Sequence, residues 1–162
     1  RPAPSGLLTL PHFAGAATPY MDTAAKGAIC GLSLENDAAD VYRSLLEGVA
    51  YETRINLDRL EEAGIRVESL RATGGGARSA VWLQIKADIL RRPIDTLAAD
   101  EAGTVGSILL AGTAAGAYAS LNEAMDTVKT RRRVEPAADG AYEGIYARYT
   151  RLYAALQDSM KG

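Results

Sequence analysis

The most constraining feature of the sequence is a run of three glycines, Gly74, Gly75 and Gly76, between two apolar segments. Residues 65–73 have the composition of a buried strand, and residues 80–90 repeat apolar side chains at helical spacing. A strand that turns through glycines into a helix brings backbone N–H groups and the positive end of the helix dipole to one place. The pattern predicts a phosphate or nucleotide cradle formed by Gly74, Gly75, Gly76, Ala77 and Ser79.

Two other interpretations of this turn stay open on the residues alone. In the first, the glycines are present only because a tight turn requires backbone dihedral angles that glycine adopts easily, and no ligand binds there. In the second, Gly74-x-Gly76-x-x-Ser79 is a dinucleotide fingerprint of an oxidoreductase, with Asp95 near the acidic position. The sequence differs from that fingerprint in having Ser79 where Gly or Ala is expected. It also places Asp95 inside a short strand instead of at its end.

The composition is that of an ordinary globular chain of 162 residues, with 48% hydrophobic and 23% charged residues and a formal net charge of −2. Such a charge argues against nucleic-acid binding, which requires clustered cations. We interpret the one basic run, residues 129–133, as a solvated connector. There is no leader and no apolar run of about 18 residues, so no membrane association is expected. The single cysteine, Cys30, suits a reducing cytoplasm.

Strands and helices alternate along the chain, which predicts one α/β layered domain. Strands are expected at residues 6–10, 27–34, 65–73 and 93–97, and helices at about residues 36–64, 80–90, 103–120 and 139–159. The first helix should bury an apolar face through Val41, Leu45 and Val49, with Glu47 as an interior polar anchor and Gly48 at a close packing contact.

The helix expected at residues 103–120 is rich in glycine. Gly106, Gly112 and Gly116 suggest that it is pressed tightly against a neighbouring element. Asp100 and Glu101 precede it, where acidic side chains favour a helix N-terminus.

Other candidate residues carry structural interpretations. His12 has no Ser or Cys partner and is interpreted as a packed loop histidine. Trp82 is assigned to the core, although it follows the glycine turn closely enough to contact a base. The tyrosines of the last helix are also assigned to the core. No His/Cys cluster suits zinc and no carboxylate spacing suits calcium, so no metal ligands are expected in this chain.

Three stretches of the sequence, taken together, resemble the C-terminal domain of the FGGY carbohydrate kinases. Residues 10–32 are similar to the proline-rich loop and the Gly-x-x-x-Gly-Leu strand of that family. Residues 40–50 are similar to its signature helix, with Leu45 where a smaller or β-branched residue is usual. Residues 73–90 resemble its adenosine motif. The resemblance covers essentially the whole chain.

The resemblance implies an actin-like ATPase (ribonuclease H-like) α/β fold, of which this chain is the C-terminal half, with a mixed sheet flanked by helices. Members transfer the γ-phosphate of Mg²⁺-ATP to a hydroxyl of a sugar or polyol, with an Asp as general base. By the resemblance, the backbone of Gly74, Gly75, Gly76 and Ala77 lines the adenine and ribose, and Ser79 can reach the base.

The resemblance also implies that parts of the kinase lie outside residues 1–162. The general-base Asp and most sugar contacts belong to the N-terminal domain, and the first strands of the C-terminal domain are expected before Arg1. We therefore expect ATP and Mg²⁺ as cofactors, a sugar or polyol and the N-terminal domain as partners, and no activity from this chain alone. A homo-oligomer is compatible with the sequence and not required by it.

Substrate and alternatives stay open at this stage. Xylulose kinases usually carry Glu-Arg before the Thr18-Pro19 pair, and this chain has Ala16 and Ala17 there. Tyr20 and Asp22 are similar to the glycerol-kinase side of the family. Two alternatives to the kinase function remain: an NAD-type oxidoreductase domain and a non-catalytic actin-like nucleotide switch.

Overall fold

The computed structural model describes residues 4–98, 102–137 and 140–160. In chain order, the elements are β1 (Leu8–Leu10), β2 (Ala28–Cys30), α1 (Ala38–Glu62), β3 (Leu70–Ala72), a 3₁₀ turn (Gly75–Arg78), α2 (Ala80–Leu90), β4 (Ile94–Leu97), α3 (Ala102–Ala114), α4 (Leu121–Asp126), β5 (Thr130–Val134) and α5 (Glu143–Met160). The predicted α/β class is confirmed. Asp100 and Glu101, which were expected at a helix N-terminus, lie outside the described residues.

The described strands form two sheets. β1 and β2 make an antiparallel pair, whereas β3, β4 and β5 make a mixed sheet in that order. β4 is parallel to β3 and antiparallel to β5. Helix α1 packs against both β1 and α2. It therefore connects the two sheets.

The ends of α1 are set by local signals in the sequence. Asp37 caps the N-terminus and forms a capping box with Asp40, because each side chain accepts from the other residue's backbone N–H. Gly64 follows the helix in the left-handed conformation, with φ of 84°, which glycine adopts at no steric cost. The helix predicted at about residues 36–64 is confirmed.

The buried face of α1 differs from the prediction in its N-terminal half, which buries polar side chains. Ser44 and Glu47 are buried, whereas Val49 is 38% exposed. Ser44 shares a 2.7 Å hydrogen bond with Thr9 of β1, and Gly48 packs directly on the Thr9 backbone. The close contact predicted at Gly48 is thereby confirmed.

Glu47 is the interior polar anchor that the sequence indicated. Its carboxylate is 1% exposed and accepts hydrogen bonds from Ser5 Oγ at 2.6 Å, from Arg43 Nε at 2.8 Å and from the Tyr142 hydroxyl at 3.2 Å. Buried carboxylates require such partners, because an unpaired one would be strongly destabilising. The anchor joins the N-terminal segment, α1 and the segment before α5.

Two core clusters hold the chain together. The tyrosine cluster packs α5 against α1 and β1 through Tyr51, Tyr142, Tyr146, Tyr149 and Tyr153. The sheet cluster packs α2 on the mixed sheet through Leu57, Leu83, Leu90, Ile94 and Val134. Helix α2 contributes to both, since its Ile85 and Ile89 join the tyrosine cluster. The predicted packing role of the C-terminal tyrosines is confirmed.

The basic run at residues 129–133 is not a connector, and this prediction was wrong. Thr130–Val134 is strand β5, paired with β4 through Ile94 and Val134 and through Asp95 and Arg133. Four of its five residues are exposed and Val134 is buried. Charged side chains are common on such strands, where they discourage further pairing. Residues 129–133 therefore have the composition of a solvated connector, but most of them form a strand.

The glycine-rich helix also differs from the prediction. It ends at Ala114, and Gly116 follows with φ of 77°. Leu109 is its buried residue, and a side chain at Gly106 would meet open space. Only at Gly112 would a Cβ be close to a neighbour, 2.8 Å from the Tyr118 ring. The tight packing predicted for all three glycines is therefore wrong at Gly106 and Gly116.

Candidate functional site

The glycine turn lies where the two parallel strands of the mixed sheet end. Leu70 and Ala72 of β3 pair with Ile94 and Thr96 of β4, so the carboxyl ends of both strands meet at one edge. In open α/β sheets, ligands bind in the crevice at this edge. The sequence predicted a glycine turn between a strand and a helix, and the structure forms it as a 3₁₀ turn, Gly75–Arg78, between β3 and α2.

Each of the three glycines has a different environment. Gly74 has φ of 76° and ψ of −170°, a region that is essentially restricted to glycine. A Cβ on Gly76 would lie 2.5 Å from Cζ3 of Trp82, so the indole excludes any side chain there. Gly75 is exposed, its φ lies outside the left-handed region, and a Cβ on it would meet nothing within 4 Å. Nothing within the described fold requires glycine at position 75.

Trp82 forms the support of the turn and is not a core residue. It is half-buried, and its Nε1 has no hydrogen-bond partner among the described residues. Lys86, one helical turn later, places Nζ 4.1 Å from the centre of the Trp82 ring system, a cation–π contact. Burial lowers the pKa of Lys86. The assignment of Trp82 to the core is therefore corrected.

A cleft of about 450 Å³ opens beside the turn. Its walls come from the end of β3, the turn, α1 and α2, and include Thr53, Thr73, Gly76, Ala77, Trp82 and Lys86. Its volume is in the range of small-molecule sites. Of the predicted site residues, Gly76 and Ala77 line this cleft. Thr53 and Lys86 were not predicted, because their positions depend on how α1 and α2 pack.

A second, smaller hollow of about 50 Å³ lies beside Gly74. Gly74 and Ala77 line it, together with Arg78 of the turn and Arg131 of β5. Both arginine side chains are exposed. The structure thus brings two cations, Arg78 and Arg131, to the carboxyl edge of the sheet. Arg131 belongs to the basic run that the sequence analysis assigned to a connector.

Ser79 is the N-cap of α2. Its Oγ accepts a hydrogen bond from the backbone N–H of Trp82 at 3.3 Å, and this cap stabilises the first turn of the helix. The hydroxyl hydrogen is not used by this bond. Ser79 therefore combines a structural role with a donor at the positive end of the α2 dipole.

Asp95 lies within β4, as the sequence indicated, and not at the end of the strand. Its carboxylate is 3.1 Å from the guanidinium of Arg133 on the adjacent strand β5. In the dinucleotide fold, the acidic residue follows the strand and binds a ribose hydroxyl. The position of Asp95 therefore does not fit that role.

The loop before β2 is anchored by aromatic packing. His12 is buried and contacts the rings of Tyr20 and Tyr153 edge-on, so its interpretation as a packed histidine is confirmed. Tyr20 stacks on Tyr153 with ring centres 3.9 Å apart, and Asp22 accepts a 2.7 Å hydrogen bond from the Tyr153 hydroxyl. Tyr20 and Asp22 thus fasten the loop to α5.

Two searches of the described residues concern other classes of site. Across residues 4–98, 102–137 and 140–160, no group of three or more His, Cys, Asp and Glu side chains could hold a metal ion. In the same part of the chain, no helix has both the length and the apolar character needed to cross a bilayer.

A model of the FGGY family of carbohydrate kinases, C-terminal domain, matches residues 1–115. The chain belongs to this family. Carbohydrate kinases of the FGGY family are phosphotransferases, so the family assignment replaces the oxidoreductase alternative.

Similar proteins extend the FGGY match over nearly the whole chain. A glycerol kinase from Pseudomonas syringae pv. tomato is 34% identical over 95% of this chain and 31% of its own length. The crystal structure of a xylulose kinase from Rhodospirillum rubrum, 32% identical, superposes with a TM-score of 0.83 and covers 96% of this chain and 32% of that one. This FGGY domain therefore spans about a third of the length of these relatives.

The fold of the FGGY domain is the actin-like ATPase fold of these sugar kinases, as the resemblance implied. A glycerol kinase from Plasmodium falciparum, solved with ADP, shares it at 21% identity and a TM-score of 0.78, over 98% of this chain and 31% of that one. At that identity the likeness concerns the fold alone.

Proposed function

We propose that this domain is the nucleotide-binding half of an ATP-dependent carbohydrate kinase that transfers the γ-phosphate of ATP to a hydroxyl of a sugar or polyol. The observation that carries the proposal is Gly75. Its glycine identity has no explanation in the dihedral angles or the packing of the described fold. A ligand that approaches the backbone closely explains it, since any side chain at that position would hold the ligand away.

The roles of the other turn residues follow from that position. The backbone of Gly74, Gly75, Gly76 and Ala77 lies along the adenine and ribose, and the Ser79 hydroxyl donates to the base. The positive end of the α2 dipole faces the same ligand. The proposal is supported by the glycerol kinase solved with ADP, which has the same fold.

The described residues contain no cluster of side chains that could bind Mg²⁺. We therefore propose that it accompanies the phosphates of ATP, as in other phosphoryl-transfer enzymes. The general-base Asp and the sugar contacts are assigned to the N-terminal domain. This domain alone then binds nucleotide without phosphorylating a sugar. The free thiol of Cys30 supports a cytoplasmic enzyme.

The substrate is a sugar or a polyol, and its identity stays open between several members of that class. The two kinds of relative, a glycerol kinase and a xylulose kinase, are almost equally identical to this chain. Overall identity in this domain therefore does not separate the two substrates. A panel of glycerol, xylulose, ribulose and gluconate, assayed with the complete polypeptide and ATP, would identify the substrate.

The proposed site is tested by Gly75→Val in the complete polypeptide. Its β-branched side chain blocks close approach of the nucleotide, so calorimetry should detect no ADP binding, while the circular dichroism spectrum is unchanged. Gly144→Val is the matched control, because Gly144 is also an exposed glycine with open space around it but lies on α5. Normal ADP affinity in Gly75→Val would refute the cradle. Tight ADP binding without phosphorylation of any polyol or sugar would favour the nucleotide switch.

A further inference from the structure

Trp82 and Gly76 are in direct steric contact across the start of α2. The nearest ring atom, Cζ3, would lie 2.5 Å from a Cβ on Gly76, and Cε3 would lie 3.0 Å away. Real Cβ atoms do not approach ring carbons so closely, so the backbone of Gly76 rests on the indole itself. This contact, and not the dihedral angles of Gly76, accounts for glycine at this position.

The indole has identifiable contacts besides Gly76. Its Nε1 has no hydrogen-bond partner among the described residues, so these contacts are made by the faces and edge of the ring. The Lys86 ammonium lies 4.1 Å from the ring centre. The neighbouring residue of the helix, Leu83, is 3% exposed and belongs to the sheet cluster. The helix that carries the ring is therefore anchored in the core beside the turn.

From this arrangement we infer that Trp82 is a positioning residue, whose ring sets the height of the Gly75–Arg78 turn above α2 and thereby the affinity for the nucleotide. The inference rests on the proposed function, since the turn is the proposed cradle. Trp82 acts through Gly76 and need not touch the nucleotide. A methyl group at position 76 would lift the turn from its support, and a smaller side chain at position 82 would leave room for that methyl group.

The test is a double-mutant cycle in the complete polypeptide, with ADP affinity measured by calorimetry. Gly76→Ala should weaken ADP binding by about tenfold in the wild-type background. In the Trp82→Leu background, the same substitution should change the dissociation constant by less than about threefold. Val81→Ala is the control, because Val81 lies beside Trp82 on the same turn of the helix but is 63% exposed.

The outcomes separate this inference from the proposed function. Wild-type protein that fails to bind ADP refutes the nucleotide site and the positioning role together. If the wild type binds ADP but Gly76→Ala weakens it equally in both backgrounds, the methyl group obstructs the ligand directly and the positioning role is wrong. Coupling that appears in the unfolding midpoint and not in ADP affinity also refutes it. Should Trp82→Leu fail to fold, the cycle with Trp82→Phe decides the question.

Discussion

Gly48 of α1 lies directly against the backbone carbonyl oxygen of Thr9 in β1, with no room between them for a side chain. Substituting alanine in the middle of a helix ordinarily stabilises it by about 1 kcal/mol. Here the added methyl group must push α1 away from β1, and overpacking of this kind costs about 1–3 kcal/mol. The packing effect is the larger of the two, so Gly48→Ala should lower the free energy of unfolding.

Urea unfolding followed by circular dichroism measures this change. Gly144→Ala on α5 is the control, since that glycine has open space around it and should show only the helix-propensity gain of up to about 1 kcal/mol. Equal stability gains in both variants would mean that α1 and β1 are not in close contact.

Glu47→Gln should destabilise the domain by about 3 kcal/mol, because it removes the charge of a buried carboxylate that is paired with Arg43. The Glu47 side chain is 1% exposed and that of Arg43 is 15% exposed. The matched control is Glu62→Gln, which breaks the exposed pair with Arg59 and should cost less than about 0.5 kcal/mol. If both variants have the same urea midpoint, the buried network contributes nothing to stability.

The tyrosine cluster should make the domain sensitive to alkaline pH. Burial raises the pKa of Tyr142 to about 12 from an ordinary value of 10.0, and burial likewise raises the pKa of Tyr51, Tyr146 and Tyr149. The folded state therefore favours the neutral phenols. This contribution to stability is complete below pH 10 and is lost as the pH rises toward the folded values.

Urea midpoints from about pH 9 to about pH 11 would measure the loss. Tyr142→Phe removes one titrating group, so its stability should fall less steeply with pH than that of the wild type. Tyr42→Phe, at a side chain that is 64% exposed, should follow the wild-type curve. Identical slopes for all three proteins would contradict the prediction.

Val134→Ala should destabilise the domain by about 2 kcal/mol, the range of large-to-small substitutions in a core. Val134 is the buried residue of β5 and is 3% exposed. Arg132→Ala on the same strand alters an exposed side chain and should change stability by less than about 0.5 kcal/mol. Thermal unfolding of both variants is the measurement, and an unaffected Val134→Ala protein would show that β5 is not anchored through this side chain.

Local signals made much of this fold predictable. The boundaries of α2 agree with the sequence prediction at both ends, and α1 lies between its Asp37 cap and the left-handed Gly64. The glycine turn was also found at the end of a strand, where three glycines before an apolar helix indicate it. In each case, the deciding interactions join residues that are close in the sequence.

Features that depend on distant partners were not predictable in the same way. Strand β5 exists because its backbone pairs with β4, and neither pairing nor register can be read from a run of arginines. The N-terminal half of α1 can bury polar side chains because Thr9 and Tyr142 supply hydrogen bonds to them. At the site, the contact of Gly76 with Trp82 depends on a 3₁₀ turn that folds back over the start of α2.

Helix α2 is packed on two opposite sides. Leu83 and Leu90 belong to the sheet cluster, and Ile85 and Ile89 belong to the tyrosine cluster. The loop that begins this helix is therefore tethered at one end to a well-packed part of the fold. On the proposed function, the nucleotide meets a surface that is ordered in part before binding, so less ordering entropy opposes its binding. The same packing limits which substitutions the loop tolerates. A side chain larger by one methyl group displaces the loop, and on the proposed function that displacement changes how the nucleotide fits.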